Sequence, residues 1–167
     1  MDRAAKKTAL RMIPYGLYVL TSRADDGRIA AATVTWVTQL SFEPPLIVVC
    51  VRADSRAHAV IEASGTFALN ILSKRQPDTA FAFFKPVEPE GDTVGGERFR
   101  TGATGSPILE SAPAYVECKV VEVVKQGDHS AVIGRVVEAS VTQQPEGRPD
   151  EVTLMVRDLG KNISYGG

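Results

Sequence analysis

The last third of the chain alternates β-rich runs with tight turns, and that alternation constrains the fold more than any other feature. Ala114 to Val124 and Ser130 to Val141 are rich in β-branched residues, and the Gln126-Gly127-Asp128 turn between them makes the pair a hairpin candidate. A polar turn through Pro145 and Gly147 leads to a further expected strand, Val152 to Arg157. Earlier in the chain, Tyr15 to Ser22 reads as a strand, Ala24-Asp25-Asp26-Gly27 as its turn, and Arg28 to Val37 as the return arm. Pro44-Pro45 breaks the pattern before Leu46 to Val51, whose continuous apolar run predicts a fully buried strand, and Thr66 to Leu72 predicts another.

Turns thus recur about every ten residues, and only short helical patterns interrupt them. These are a basic segment at 3–13 ended by Pro14, residues 56–64 stopped by Gly65, and Gln76 to Phe84. A doubly wound parallel sheet requires more and longer helices between its strands. The expected class is therefore mainly β with short helices, a closed or nearly closed β-barrel, in a single domain over residues 1–167. Lys85 to Gly105 carries two prolines and five glycines (Pro86, Pro89, Gly91, Gly95, Gly96, Gly102, Gly105) and is expected as a long irregular loop.

Charge narrows the choice of partners. The 19 basic and 20 acidic residues are interspersed and sum to a net charge of -1, which argues against nucleic acid as a partner. Cys50 and Cys118 each fall inside an expected strand with no second Cys or His at metal-ligand spacing, so they are expected as buried reduced thiols and no metal site is expected. MDRAAKKTALRM lacks the apolar centre of a signal peptide, and no run approaches the roughly 18 apolar residues of a membrane span. A soluble cytoplasmic protein with no membrane partner is the expectation.

The motifs of P-loops, Rossmann folds, zinc proteases and α/β-hydrolases are absent. Three other stretches could carry chemistry. In VRADSRAHAVI, Arg56 and His58 crowd the first turn of a helix, where acidic residues are usually favoured. Free backbone N–H groups, the Ser55 hydroxyl, Arg56 and His58 together would suit a phosphate; a capped surface helix with incidental positive charge accounts for the same residues. In ATVTWVTQLS, Thr33, Thr35, Thr38 and Ser41 could present donors to a planar heteroaromatic ring, or could follow strand propensity alone, with Trp36 as packing. Asp128-His129 at a hairpin tip could contact a ligand over the barrel mouth, or could be a turn aspartate beside a solvated histidine.

Taken in order, YGLYVLTS, the Gly27 turn, ATVTWVTQLSFEPPLIVVCV, DSRAHAVIEASGTFALNILS and SPILESAPAYVECKVVEVVKQGDHSAVIGRVVEA resemble the flavin reductase-like family from about residue 10 to 157. The resemblance implies the FMN-binding split β-barrel and a bound FMN, or FAD. It sets the ring edge against Ala32, Thr33, Val34, Thr35 and Trp36, with Thr33 and Thr35 as its hydrogen-bonding partners, and lines the flavin with Cys50, Val51 and Arg52. It assigns the flavin phosphate to Ser55, Arg56 and His58, with Lys85 as a weaker candidate, and gives His129 of the Gly127-Asp128-His129 motif a nicotinamide-positioning role. The departures, at Lys85 to Gly105 and in the terminal LGKNISYGG, fall where substrate access is shaped.

The activity so implied is NAD(P)H-dependent flavin reduction, with hydride passing from NADH or NADPH to flavin N5 and no protein nucleophile. A homodimer and an oxygenase or other redox partner are implied with it. The alternatives are a non-enzymatic FMN-binding electron carrier of the same fold, a pyridoxamine-phosphate-oxidase-like split barrel, and a cofactor-free β-barrel.

Overall fold

A computed structural model describes residues 1–167. Eleven strands and four short helices follow in the order α1 (Arg3–Arg11), β1 (Tyr18–Arg23), β2 (Ile29–Val34), β3 (Val37–Ser41), β4 (Leu46–Arg52), α2 (Arg56–Ser64), β5 (Thr66–Ile71), α3 (Pro77–Ala82), β6 (Pro89–Glu90), β7 (Thr93–Val94), β8 (Glu97–Thr101), β9 (Pro107–Leu109), β10 (Ala114–Lys125), β11 (His129–Val141) and α4 (Pro149–Val152), then a 3-10 turn at Val156–Leu159. No helix is long and apolar enough to cross a membrane.

Seven strands form one antiparallel sheet in the order β2-β1-β5-β10-β11-β4-β3. Its two outer strands are consecutive in sequence: β2 ends at Val34 and β3 begins at Val37. Three residues of chain reach no more than about 10 Å, so the sheet must curl until its edges nearly meet. Thr35 and Trp36 occupy the resulting split, and the Cys50 N–H donates to the Trp36 carbonyl at 2.9 Å, extending the β3–β4 ladder to its lip.

The barrel interior is filled by Leu20, Val34, Val49, Val51, Phe67, Leu69, Cys118 and Val132, and by Ala57, Val60 and Ile61 of α2. Gly134 on β11 permits this packing, because a Cβ there would lie 2.7 Å from the Phe67 ring and 2.8 Å from Cys118 Cβ. Gly65 ends α2 in the left-handed conformation at φ 66°, donating its N–H to the Ile61 carbonyl.

A second apolar layer, including Leu17, Val19, Ile29, Leu72, Phe83, Val94, Phe99 and Leu154, covers the outside of β1 and β5. Val19 and Leu20 are both fully buried for this reason, although they face opposite sides of their strand. Buried polar contacts fix the layer in place. Thr21 Oγ1 donates to the Pro107 carbonyl at 2.5 Å, and Asn70 Oδ1 accepts from Leu109 N–H at 2.9 Å. Glu117, 1% exposed, accepts from the N–H groups of Ala103 and Thr104 and from the Thr104 hydroxyl.

The structure departs from the sequence expectations in four places. Residues 85–105 are not irregular: β6, β7, β8 and β9 form a small sheet, because Val94 and Phe99 find a buried surface and the glycines supply its turns. Val152 to Arg157 is not a strand. Only isolated bridges, Ser73 with Thr153 and Gly16 with Met155, flank the fully buried Leu154 before the 3-10 turn. The long arm from Arg28 to Val37 breaks at Thr35-Trp36, where the chain passes from one sheet edge to the other. Strand β4 alternates instead of being wholly buried: Ile47, Val49 and Val51 face the interior while Leu46, Val48 and Cys50 are half-buried.

Candidate functional site

Beside the split lies a cavity of about 500 Å³, within the range of about 300 to 1,000 Å³ usual for small-molecule sites. Its floor is the end of β2, its sides are the end of β4 and the start of α2, and residues 83–87, the 3-10 turn and residues 163–165 close it over. Of the residues singled out from sequence, Ala32, Thr33, Val34 and Thr35 line it from β2 and the split, Cys50, Val51 and Arg52 from β4, Ser55 and Arg56 from the cap and start of α2, Lys85 from the loop after α3, and His129 from the start of β11.

The start of α2 presents free backbone donors and positive charge to the cavity. Ser55 is its N-cap, accepting from the His58 N–H at 3.2 Å and donating its own hydroxyl hydrogen to the Arg52 carbonyl at 2.7 Å. The backbone N–H groups of Arg56 and Ala57 occupy the first turn, where no intrahelical acceptor exists, and both residues line the cavity. Arg56 pairs with Glu88, while Arg52 pairs with Asp54 through Nη2 at 2.8 Å and Nε at 3.1 Å. The Arg52 guanidinium holds the Asp54 carboxyl below its ordinary value. Burial pushes the Cys50 thiol up.

Thr35 is the second notable group. Its hydroxyl oxygen is buried and has no hydrogen-bond partner, although it belongs to a residue of the cavity wall. A buried unpaired hydroxyl costs about 1 to 3 kcal/mol, so this position suits a ligand that brings its own acceptor or donor. Thr33 behaves differently. Its hydroxyl donates to the Ala80 carbonyl at 2.7 Å and its N–H to the Phe83 carbonyl at 3.1 Å, so both groups bind α3 to the barrel instead of facing a ring.

Two further expectations need correction. The His58 side chain is buried among barrel residues, with Nε2 2.9 Å from Ser130 Oγ and Nδ1 3.3 Å from Glu62 Oε2. Only its backbone N–H serves the helix start, because the third residue of α2 turns its side chain inward with Val60 and Ile61. Trp36 does not line the cavity. It packs behind His129, ring centroids 4.7 Å apart, and against Tyr15 and Tyr165 at 6.3 and 5.3 Å.

His129 begins β11, paired with Arg52 across the ladder, and both its ring nitrogens are engaged. Nδ1 lies 2.8 Å from Asp128 Oδ1 and Nε2 lies 2.8 Å from the Tyr165 hydroxyl. The hydrogen bond from His129 is the main reason the Asp128 carboxyl is held low, and burial pushes the Tyr165 phenol up.

The family model for the flavin reductase-like domain matches residues 10–158. The chain belongs to the flavin reductase-like domain family. Among curated relatives, a probable flavin reductase of Rhizobium meliloti is 33% identical over 135 residues, which cover 81% of this chain and 42% of that protein. The chain therefore spans less than half of that relative's length. The reductase subunit HsaB of a flavin-dependent monooxygenase from Mycobacterium tuberculosis is 36% identical over 149 residues, covering 89% of this chain and 78% of that protein. An FMN-binding protein from Thermus thermophilus superposes with a TM-score of 0.76 at 29% identity, covering 90% of this chain and 84% of that one. An NADH:FAD oxidoreductase from Streptomyces globisporus, solved in complex with NAD and FAD fragments, gives 0.66 at 26% identity, with 77% and 76% covered. The fold is accordingly the FMN-binding split barrel of flavin reductases.

In this family member, sequence reasoning missed the apolar half of the site. Leu17, Phe83, Val156 and Leu159 line the cavity, as do Ile163, Ser164 and Tyr165 from the last segment. The Phe83-Phe84 pair ahead of Lys85 was the available signal for the first group. Nothing local in NISYGG marks Tyr165, whose partner His129 lies 36 residues away.

Proposed function

We propose that this chain is an NAD(P)H-dependent flavin reductase that holds FMN in the 500 Å³ cavity. The observation that carries the reading is the convergence on one cavity of an anion-binding helix start, an unpaired buried threonine hydroxyl and an apolar wall, in a chain of this family. The residues fit the group: a planar ring takes the apolar surface and the Thr35 hydroxyl, and a phosphate takes the N–H groups of Arg56 and Ala57 with the Arg56 guanidinium.

When bound, the flavin supplies the hydride acceptor and passes electrons onward. The chain's own residues bind, orient and shield. Ser55 holds the first turn of α2 open toward the phosphate, and Lys85 adds charge at the same mouth. Ala32, Val34 and the backbone of Cys50 to Arg52 form the surface on which the ring rests. Asp128 fixes His129 with Nδ1 occupied, so that Nε2 is the nitrogen left to meet a nicotinamide once its contact with the Tyr165 hydroxyl opens. Phe83, Val156 and Leu159 exclude water from the wall opposite.

The reading extends to a homodimer in the cytoplasm that hands reduced flavin to an oxygenase, a partner class in keeping with the name of the HsaB relative. A second reading, an FMN-binding electron carrier without a donor site, draws on the likeness to the Thermus FMN-binding protein. Steady-state oxidation of NADH and NADPH with FMN, FAD or riboflavin added tests the choice. The reductase reading predicts turnover with at least one donor and a lower KM for FMN than for riboflavin. No turnover with any pair favours the carrier.

A further inference from the structure

The segment from Gly160 to Gly167 crosses the mouth of the cavity, and its contacts are few and specific. Ile163, Ser164 and Tyr165 line both the main cavity and a neighbouring one of about 300 Å³, so the segment is a wall between two spaces. It is attached by the hydrogen bond from Arg11 Nε to the Gly166 carbonyl at 3.0 Å, by the Tyr165 ring against Trp36, and by the Tyr165 hydroxyl on His129 Nε2. The helix that supplies Arg11 has no buried residue. A strap held this lightly can move without disturbing the barrel.

The contact at His129 has a defined polarity. Asp128 accepts from Nδ1–H, which leaves Nε2 of the neutral imidazole as an acceptor, and the Tyr165 hydroxyl is the donor that satisfies it. A nicotinamide carboxamide offers the same chemistry, an N–H donor on a flat ring. We propose that Tyr165 is a positioning residue whose hydroxyl holds His129 Nε2 while the donor is absent and is exchanged for the carboxamide N–H when the nicotinamide enters. The proposal rests on the reductase reading and adds to it a residue, a displaced contact and a direction of effect. The donor breaks one hydrogen bond to make another, so Tyr165 lowers donor affinity and in return keeps His129 in one orientation.

Tyr165→Phe removes the hydroxyl and keeps the ring. In FMN-loaded protein the expected result is a KM for the donor lowered about 2- to 10-fold, the range for one net hydrogen bond, with kcat changed less than about 2-fold and FMN affinity unchanged. The KM effect must vanish in a His129→Ala background, since the two residues act through one contact. A readout without cofactor or turnover accompanies it: in the apo protein, the 15N resonance of His129 Nε2 shifts between wild type and Tyr165→Phe, while that of His58 does not. An unchanged or raised KM in Tyr165→Phe, an effect that survives His129→Ala, or an unmoved Nε2 resonance overturns the exchange. Wild-type protein that binds FMN but is reduced by neither donor overturns the reductase reading itself, a result distinct from wild-type reduction with an indifferent Tyr165→Phe.

Discussion

The Arg56 guanidinium is paired with the Glu88 carboxylate beside the cavity that Arg56 lines. Glu88 is largely exposed and contributes little stability through this contact, but it occupies the cation proposed above for the flavin phosphate. The two anions compete for one guanidinium. Arg56→Ala should weaken FMN about 10- to 100-fold, the range for a hydrogen bond to a charged group, and leave riboflavin affinity unchanged. Glu88→Gln should tighten FMN by a few-fold, about 2 to 5, with the gain shrinking as salt rises. Fluorescence titration of FMN and riboflavin at two ionic strengths checks both.

Thr35 and Thr33 should respond oppositely to the same substitution. Thr35→Val removes a buried hydroxyl without a partner, so the apo protein should be unchanged or more stable by up to about 1 kcal/mol, while FMN affinity falls. Thr33→Val strips the bond to the Ala80 carbonyl and should cost the apo protein about 1 kcal/mol. Urea denaturation of apo protein, paired with FMN titration, separates them. Weakened apo stability in Thr35→Val would mean that the hydroxyl has a protein partner.

Glu117 fastens the small sheet to the barrel. Its carboxylate accepts three hydrogen bonds, and Gly102 passes so close that a Cβ there would lie 2.5 Å from Oε2. In either orientation Glu117→Gln turns its amide NH₂ toward a backbone N–H, of Ala103 or of Thr104, that can only donate, and should lower stability by roughly 2 to 3 kcal/mol. Hydrogen exchange should show protection lost first at residues 97–109.

The Asp128 pair sets a pH dependence of known sign. The folded carboxyl is held below its unfolded value, about 3.9, chiefly by the hydrogen bond from His129. Its contribution is therefore fully present above the unfolded value and is lost as pH falls through the lower folded one. Asp128→Asn should differ from wild type in stability at pH 7, and the difference should disappear on acidification. A difference that grows toward low pH would contradict the assignment.

The parts of this fold legible in the sequence are those specified locally. The β10–β11 hairpin, the β1–β2 hairpin and α2 with its Gly65 stop each follow from residues within one short window, whereas the cap of α2, Asp54 or Ser55 by sequence, is Ser55 in the structure. The small sheet was not legible, because its two-residue strands exist only where Val94 and Phe99 meet the barrel. Leu154 presents the same apolar signal whether its segment forms a strand or an anchored turn. The site divides likewise. The Ser55-Arg56 helix start can be read from its spacing, whereas the inward turn of His58 depends on Ser130 from β11. The choice between Thr33 and Thr35 depends on α3, which claims one hydroxyl and leaves the other.

In the proposed reaction a donor nicotinamide reduces a flavin held in this cavity. Protein reconstituted with FMN, freed of unbound flavin and kept anaerobic, should lose its visible flavin absorbance on addition of NADH or NADPH and recover it when air is admitted. Bound flavin that stays oxidised with both donors, yet bleaches with dithionite, would overturn the reductase reading.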